Sequence, residues 1–150
     1  MRSSLWWAIG ALALVALTLG GCLPVAPADV AGGWTGTLTW SGAPIPGMTM
    51  PLTLALTQDN RTVSGEVGLM GPGSTPFSLS ITAGSVDGKT VSLAASGTLQ
   101  AGSTSVQVTI TLSGECDGTH MTGTGTQAND GVLYAFTWEA ELTTPPADGD

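Results

Sequence analysis

Positive charge is the scarcest thing in this chain. It carries three Lys and Arg against eleven Asp and Glu in 150 residues, for a net charge of −8. One of the three, Arg2, precedes an apolar N-terminal run, so Arg61 and Lys89 are the only bases of the rest. Such a surface offers no electrostatic footprint to nucleic acid. It is also repelled by anionic lipid head groups. Charge of either sign is sparse, at 9%, so solubility rests on Ser, Thr and Asn. Helical periodicity is missing after residue 22, and no glycine-rich stretch leads into a helix to cradle a phosphate. Gly123-Thr124-Gly125 is a strand feature.

The N-terminus is where the long apolar run lies. Leu5 to Leu19 holds no charge, follows Arg2 and ends at Gly20 and Gly21, the pattern of a secretory signal over residues 1–21. It is shorter than the roughly 20 residues a helix needs to span a bilayer. Leu19-Gly20-Gly21-Cys22 resembles the lipobox of bacterial lipoproteins. The resemblance implies cleavage before Cys22 and acyl chains on that cysteine, which convert "spans" into "anchored to". The membrane partner is then reached through the lipid on Cys22. The expected address is the periplasmic face of an outer membrane, or the outer face of the cell membrane where there is no outer one. Acylation leaves Cys116 as a lone thiol, read as an inert turn residue, the sharper alternative being an intermolecular disulfide or a reactive thiol.

Residues 22–32 have two prolines and no period, and read as a flexible tether. From residue 33 the period becomes 2. Inward faces are expected at Trp34, Gly36, Leu38 and Trp40; at Leu52, Leu54 and Leu56; at Val63, Gly65, Val67 and Leu69; and at Phe77, Leu79 and Ile81. They continue at Val91, Leu93 and Ala95; at Val106, Val108, Ile110 and Leu112; at Met121, Gly123 and Gly125; and at Val132, Tyr134, Phe136, Trp138, Ala140 and Leu142. Alternation of this kind means antiparallel sheet with one buried face. Residues 42–51 and 71–76 are long Pro/Gly-rich loops. Residues 99–103 and 127–131 are intermediate loops, and the turns near Asn60, Gly88 and Gly118 are tight. The tail 144–150 is acidic and read as disordered.

Eight hairpin-linked strands predict an all-β, up-and-down antiparallel barrel over residues 33–143, preceded by a signal-peptide helix. Closure removes both sheet edges. The alternative is a two-sheet sandwich. Gly32-Gly33-Trp34 and the aromatic last strand resemble the openings and closings of lipocalin-like barrels, of avidin-type barrels and of small bacterial protease-inhibitor barrels. That resemblance implies architecture only. No basic residue on the last strand matches the one lipocalins pack on their tryptophan.

The expected inward positions hold no Asp, Glu, His, Lys, Arg or Cys, so no acid, base or nucleophile is poised in a shielded cavity. The reading is therefore non-enzymatic, with no cofactor. Cys116, Asp117 and His120 are three potential ligands around one turn, and without a second cluster they read as a solvated turn. The expected outward threonine rows suit strand propensity. Glu139 and Glu141 read as a solvated row.

Two sets of residues remain as candidates. Trp34, Trp40, Phe77, Tyr134, Phe136 and Trp138 form a barrel core, or in part an apolar pocket below the mouth. Pro44, Ile45, Pro46, Met48 and Met50 form a candidate contact loop, because exposed apolar loop residues mark contact sites. The function these imply is a lipid-anchored envelope binding or interaction module using its loop-rich mouth. The alternatives are a carrier or sensor of a small apolar ligand, and an envelope protease inhibitor.

Overall fold

The computed structural model describes residues 25–42, 45–71 and 74–145. The signal segment, Cys22, Pro44 and the tail beyond Pro145 lie outside the described residues. Eight strands follow one another: β1 (Gly32–Trp40), β2 (Thr49–Asp59), β3 (Thr62–Met70), β4 (Pro76–Asp87), β5 (Thr90–Ala101), β6 (Thr104–Cys116), β7 (His120–Asn129) and β8 (Val132–Thr144). Each pairs antiparallel with the next, and β8 returns to β1, so the sheet is a closed barrel. The sandwich alternative is excluded by that closure.

The alternation of small or apolar with polar residues sets which face turns in. Trp34, Leu38, Leu52, Leu54, Val67, Leu79, Ile110, Leu112 and Phe136 are all buried. Among the described residues no polar or charged residue is buried. Burying each large aliphatic side chain stabilises by about 1.5–3 kcal/mol, and the barrel interior is where these go. Glycine makes room at two places that matter. A side chain at Gly36 would strike the Glu139 carbonyl and Ala140 backbone across the β1–β8 seam, the contact that closes the barrel. A side chain at Gly125 would occupy the space that the Phe136 ring fills.

The strands run further than the hydrophobic alternation suggests, and that corrects two of the expected loops. β5 continues through Leu99 to Ala101, and β7 through Gln127 to Asn129. The β5–β6 connection is then the tight pair Gly102-Ser103, and the β7–β8 connection the pair Asp130-Gly131. Asp130 and Gly131 both have positive φ, 47° and 87°, as a type I′ hairpin requires. β4 also extends, through a bulge between Ile81 and Ala83. The extra residue shifts parity, so Val86 turns in where Leu79 did before it.

The expected tether does not run free up to β1. The Ala28 amide donates to the Gly88 carbonyl at 2.7 Å. Gln58 grips the same segment: its Oε1 accepts from the Val30 amide at 2.7 Å, and its Nε2 donates to the Ala28 carbonyl at 3.0 Å. Val30 is fully buried, and the Trp34 indole donates to its carbonyl at 2.8 Å. Residues 28–31 thus form a plug under the barrel. Two prolines and small residues hid it, because a plug needs one apolar side chain and backbone partners rather than a period.

A candidate binding cup at the barrel mouth

An up-and-down barrel has two unlike ends. Chain entry, chain exit and the turns at Asn60-Arg61, Gly88-Lys89 and residues 117–119 share one end. The connections 41–48 and 71–75 and the two tight hairpins share the other. The first end is plugged by Val30 over Trp34. The second end holds a cavity of about 380 Å³, lined by Trp40, Gly42, Ile45, Met50, Met70, Gly71, Phe77, Leu99, Gln127, Asn129 and Tyr134. That volume falls in the ordinary range for small-molecule sites.

The cup's wall is built from side chains at strand ends. Trp40 is the last residue of β1, and Phe136 is its partner across the seam. The Trp40 ring meets Phe136 edge-on at 5.7 Å and Tyr134 edge-on at 5.9 Å, the geometry aromatic quadrupoles prefer. Its indole N–H points to the Met50 sulfur at 3.1 Å, which fixes the ring's rotation. The loop above is held by its own backbone: the Gly47 amide donates to the Trp40 carbonyl at 2.7 Å, and the Trp40 amide to the Met48 carbonyl at 2.9 Å. The Ser41 amide reaches Ala135 on β8 at 2.9 Å, tying the loop across the seam.

The structure divides the aromatic set. Trp40, Phe77 and Tyr134 line the cup. Phe136 and Trp138 lie buried, the latter donating from its indole to the Thr124 carbonyl at 3.1 Å. Trp34 is at the opposite end, under Val30. The candidate contact loop divides too. Ile45 and Met48 are exposed at 44% and 49%, while Met50 turns inward and belongs to the cup. Pro46 is exposed. Ile45 does both, exposed above and lining below.

Met70, Leu99, Gln127 and Asn129 were missed. For three of them the signal was present: Leu99 continues the parity of Val91, Leu93 and Ala95, and Gln127 and Asn129 continue that of Met121, Gly123 and Gly125. Polar residues near a turn read as loop, and pairing with β6 and β8 overrides that reading. Gln127 and Asn129 are half-buried and hydrogen-bonded to one another, Nε2 to Oδ1, at 2.9 Å. Gln127 stands directly across from Tyr134. The cup therefore has a polar wall on β7 and β8 facing an apolar one, with no charged side chain among its lining residues.

Cys116 needs correcting as well. It is the last residue of β6 and faces inward, 1% exposed. Burial pushes its thiol up, Asp117 and Asp29 add to that, and a 3.4 Å hydrogen bond from the Gly118 amide opposes it. A buried, protonated thiol is an inert one, which goes against the reactive-thiol alternative. In the neighbouring turn, Asp117 Oδ1 accepts from the His120 amide at 3.0 Å. Among the described residues no group of three His, Cys, Asp or Glu could hold a metal ion. No described helix is long and apolar enough to cross a membrane.

No protein-family model matches this chain, and no curated protein matches it. A solved structure, that of EF1p2_mFAP2b bound to DFHBI, is similar in fold. The two superpose with a TM-score of 0.55 at 11% identity, over 75% of this chain and 93% of that one. At that identity the likeness shows a shared barrel architecture.

Proposed function

We propose that this protein is a non-enzymatic, lipid-anchored envelope module that binds a small, largely apolar molecule in the cup at its mouth. The cavity of about 380 Å³ carries the reading. A barrel of this size is filled by side chains or holds one small ligand. Here Val30 closes the interior over Trp34 at one end, with a cleft of about 330 Å³ outside it along Val25, Ala28 and Asp117, while the cavity at the mouth is lined by inward-facing side chains. The solved barrel that shares the fold holds a small molecule, which adds support. The anchor rests on the lipobox resemblance. With Cys22 a few residues before the plug, the acyl chains emerge at the closed end and the cup points away from the membrane.

Binding of the neutral dye N-phenyl-1-naphthylamine, read by its fluorescence and by quenching of tryptophan emission, tests the site. The expected result is saturable binding that Leu99→Trp abolishes by filling the cup. Absence of saturable binding, or binding unaffected by Leu99→Trp, rejects the reading. Cys22→Ala tests the anchor separately. The variant is expected to leave the membrane fraction, and its retention there rejects lipidation.

A second reading has its own observation. Val132 and Leu133 are 55% and 71% exposed beside the same rim as Ile45 and Met48. These apolar groups favour an envelope-protein contact at the mouth. Crosslinking in intact cells from position 133 reads it directly, a discrete partner band supporting it and an empty lane opposing it. The protease-inhibitor reading has no observation of its own.

A further inference from the structure

We infer that the cup selects a neutral, flat ring compound that carries a hydrogen-bond donor and acceptor side by side, as in a lactam or ring amide. The inference rests on the binding reading above and names its ligand class.

The Gln127–Asn129 pair carries it. Both side chains come from β7 two residues apart, so both face inward. Their mutual bond uses one hydrogen of the Gln127 amide and one lone pair of the Asn129 carbonyl. That leaves the Gln127 carbonyl as an acceptor and the Asn129 NH₂ as a donor, with no protein partner for either among the described residues. Reversing both amides exchanges the two roles and still leaves one donor and one acceptor on that wall. The N–H and C=O of a lactam complement that pair in kind, a donor for the free acceptor and an acceptor for the free donor. The Tyr134 hydroxyl, opposite Gln127, adds a third polar group to the same wall.

Flatness follows from the other walls. Trp40 is held edge-on by Tyr134 and Phe136, and its indole N–H is taken by Met50, so it offers the cup apolar ring surface rather than a donor. Phe77 lines the same space. Neutrality follows from the lining, which holds no charged side chain to compensate a buried ion.

Three bicyclic probes of one shape separate the terms: 2-quinolone, N-methyl-2-quinolone and naphthalene. Titration calorimetry is expected to rank 2-quinolone tightest, with a loss of roughly tenfold on N-methylation and more for naphthalene, the size two modest hydrogen bonds give. Gln127→Leu and Asn129→Leu are each expected to erase the preference for 2-quinolone over N-methyl-2-quinolone, with far-UV circular dichroism showing that each variant keeps the barrel fold. If the naphthylamine binds and the three bicycles bind alike, the edge-recognition inference falls and the binding reading stands. A preference that survives both Leu variants also overturns it. Failure of every probe, the naphthylamine included, removes both.

Discussion

The two ends of this barrel are made from the same eight strands and finished in opposite ways. At the closed end a strand-free segment packs Val30 over Trp34, and Gln58 fastens it with hydrogen bonds in both directions. At the mouth the chain leaves aromatic and thioether groups around empty volume, with two amides on one side. An apolar interior is fullest where stability comes from, and it is left open where something else can enter. The same division separates two tryptophans six residues apart on one strand face. Trp34 is packed on all sides, and Trp40 is packed on one side and faces the cup on the other.

Those two tryptophans give the largest expected effects. Trp34→Ala should cost about 3–5 kcal/mol, as large-to-small core changes do when the site cannot collapse, and it also removes the donor for the Val30 carbonyl. Trp40→Ala should fall at or below the low end of that range, because part of its surface has no packed neighbour to lose. Its main effect should be loss of dye binding. Urea unfolding of both variants measures the contrast, and equal losses would break the distinction between the ends.

Leucine gives the same comparison at a smaller scale. Leu56 is buried at the closed half, and Leu99 is partly buried at the cup. Leu56→Ala should cost about 2–5 kcal/mol and Leu99→Ala about 1 kcal/mol, since the second enlarges a space that already exists. A Leu99→Ala loss as great as that of Leu56→Ala would mean that the cup is packed in solution.

Most of the barrel was readable from alternation, and the reasons for the gaps lie in particular residues. Leu52, Leu54 and Leu56 announce a buried face, as do Val108, Ile110 and Leu112, because period-2 burial is what an antiparallel strand imposes. Thr126 to Asn129 announce nothing of the kind. Apart from Ala128 they are polar, and they form strand because β6 and β8 supply partners on both sides. The site was lost where the strand was lost, since Gln127 and Asn129 look like loop residues until the parity is carried past Gly125. The six aromatics were legible as an inward set but not by height. Position along the barrel axis depends on stagger between strands, and alternation alone carries no stagger. The inward turn of Cys116 continues the parity of Val108, Ile110 and Leu112, whereas the plug at Val30 depends on how the closed end is capped, which period-2 patterning cannot express.

Gln58→Ala sharpens the closed end from outside the core. It removes the acceptor for the Val30 amide and the donor to the Ala28 carbonyl, at a net cost of about 1–2 kcal/mol. The more telling readout is hydrogen exchange at Ala28 and Val30, expected to speed up while amides of β5 and β6 keep their protection. Unchanged exchange at those two positions would show that Val30 burial alone holds the plug.

The smallest expected effect is a dependence on alkaline pH. Cys116 sits in the closed end with its thiol pKa raised, first by burial and then by Asp117 and Asp29. The folded state therefore keeps its proton at a pH where the unfolded chain has lost it. Stability from this group is fully present below the unfolded thiol's pKa, and falls as pH rises from there through the folded value. Cys116→Val keeps the apolar volume and removes the titration, so its denaturation midpoint should decline less than the wild type's across that window. Aromatic disulfide reagents should label the native thiol slowly and the urea-unfolded thiol at once, because the reactive thiolate is suppressed by the burial that raises the pKa. Fast labelling of the native protein, at a pH where the midpoint has not moved, would mean that the closed end opens without the barrel unfolding. The plug would then be as mobile as the mouth, and the contrast between the two ends would be one of composition rather than of stability.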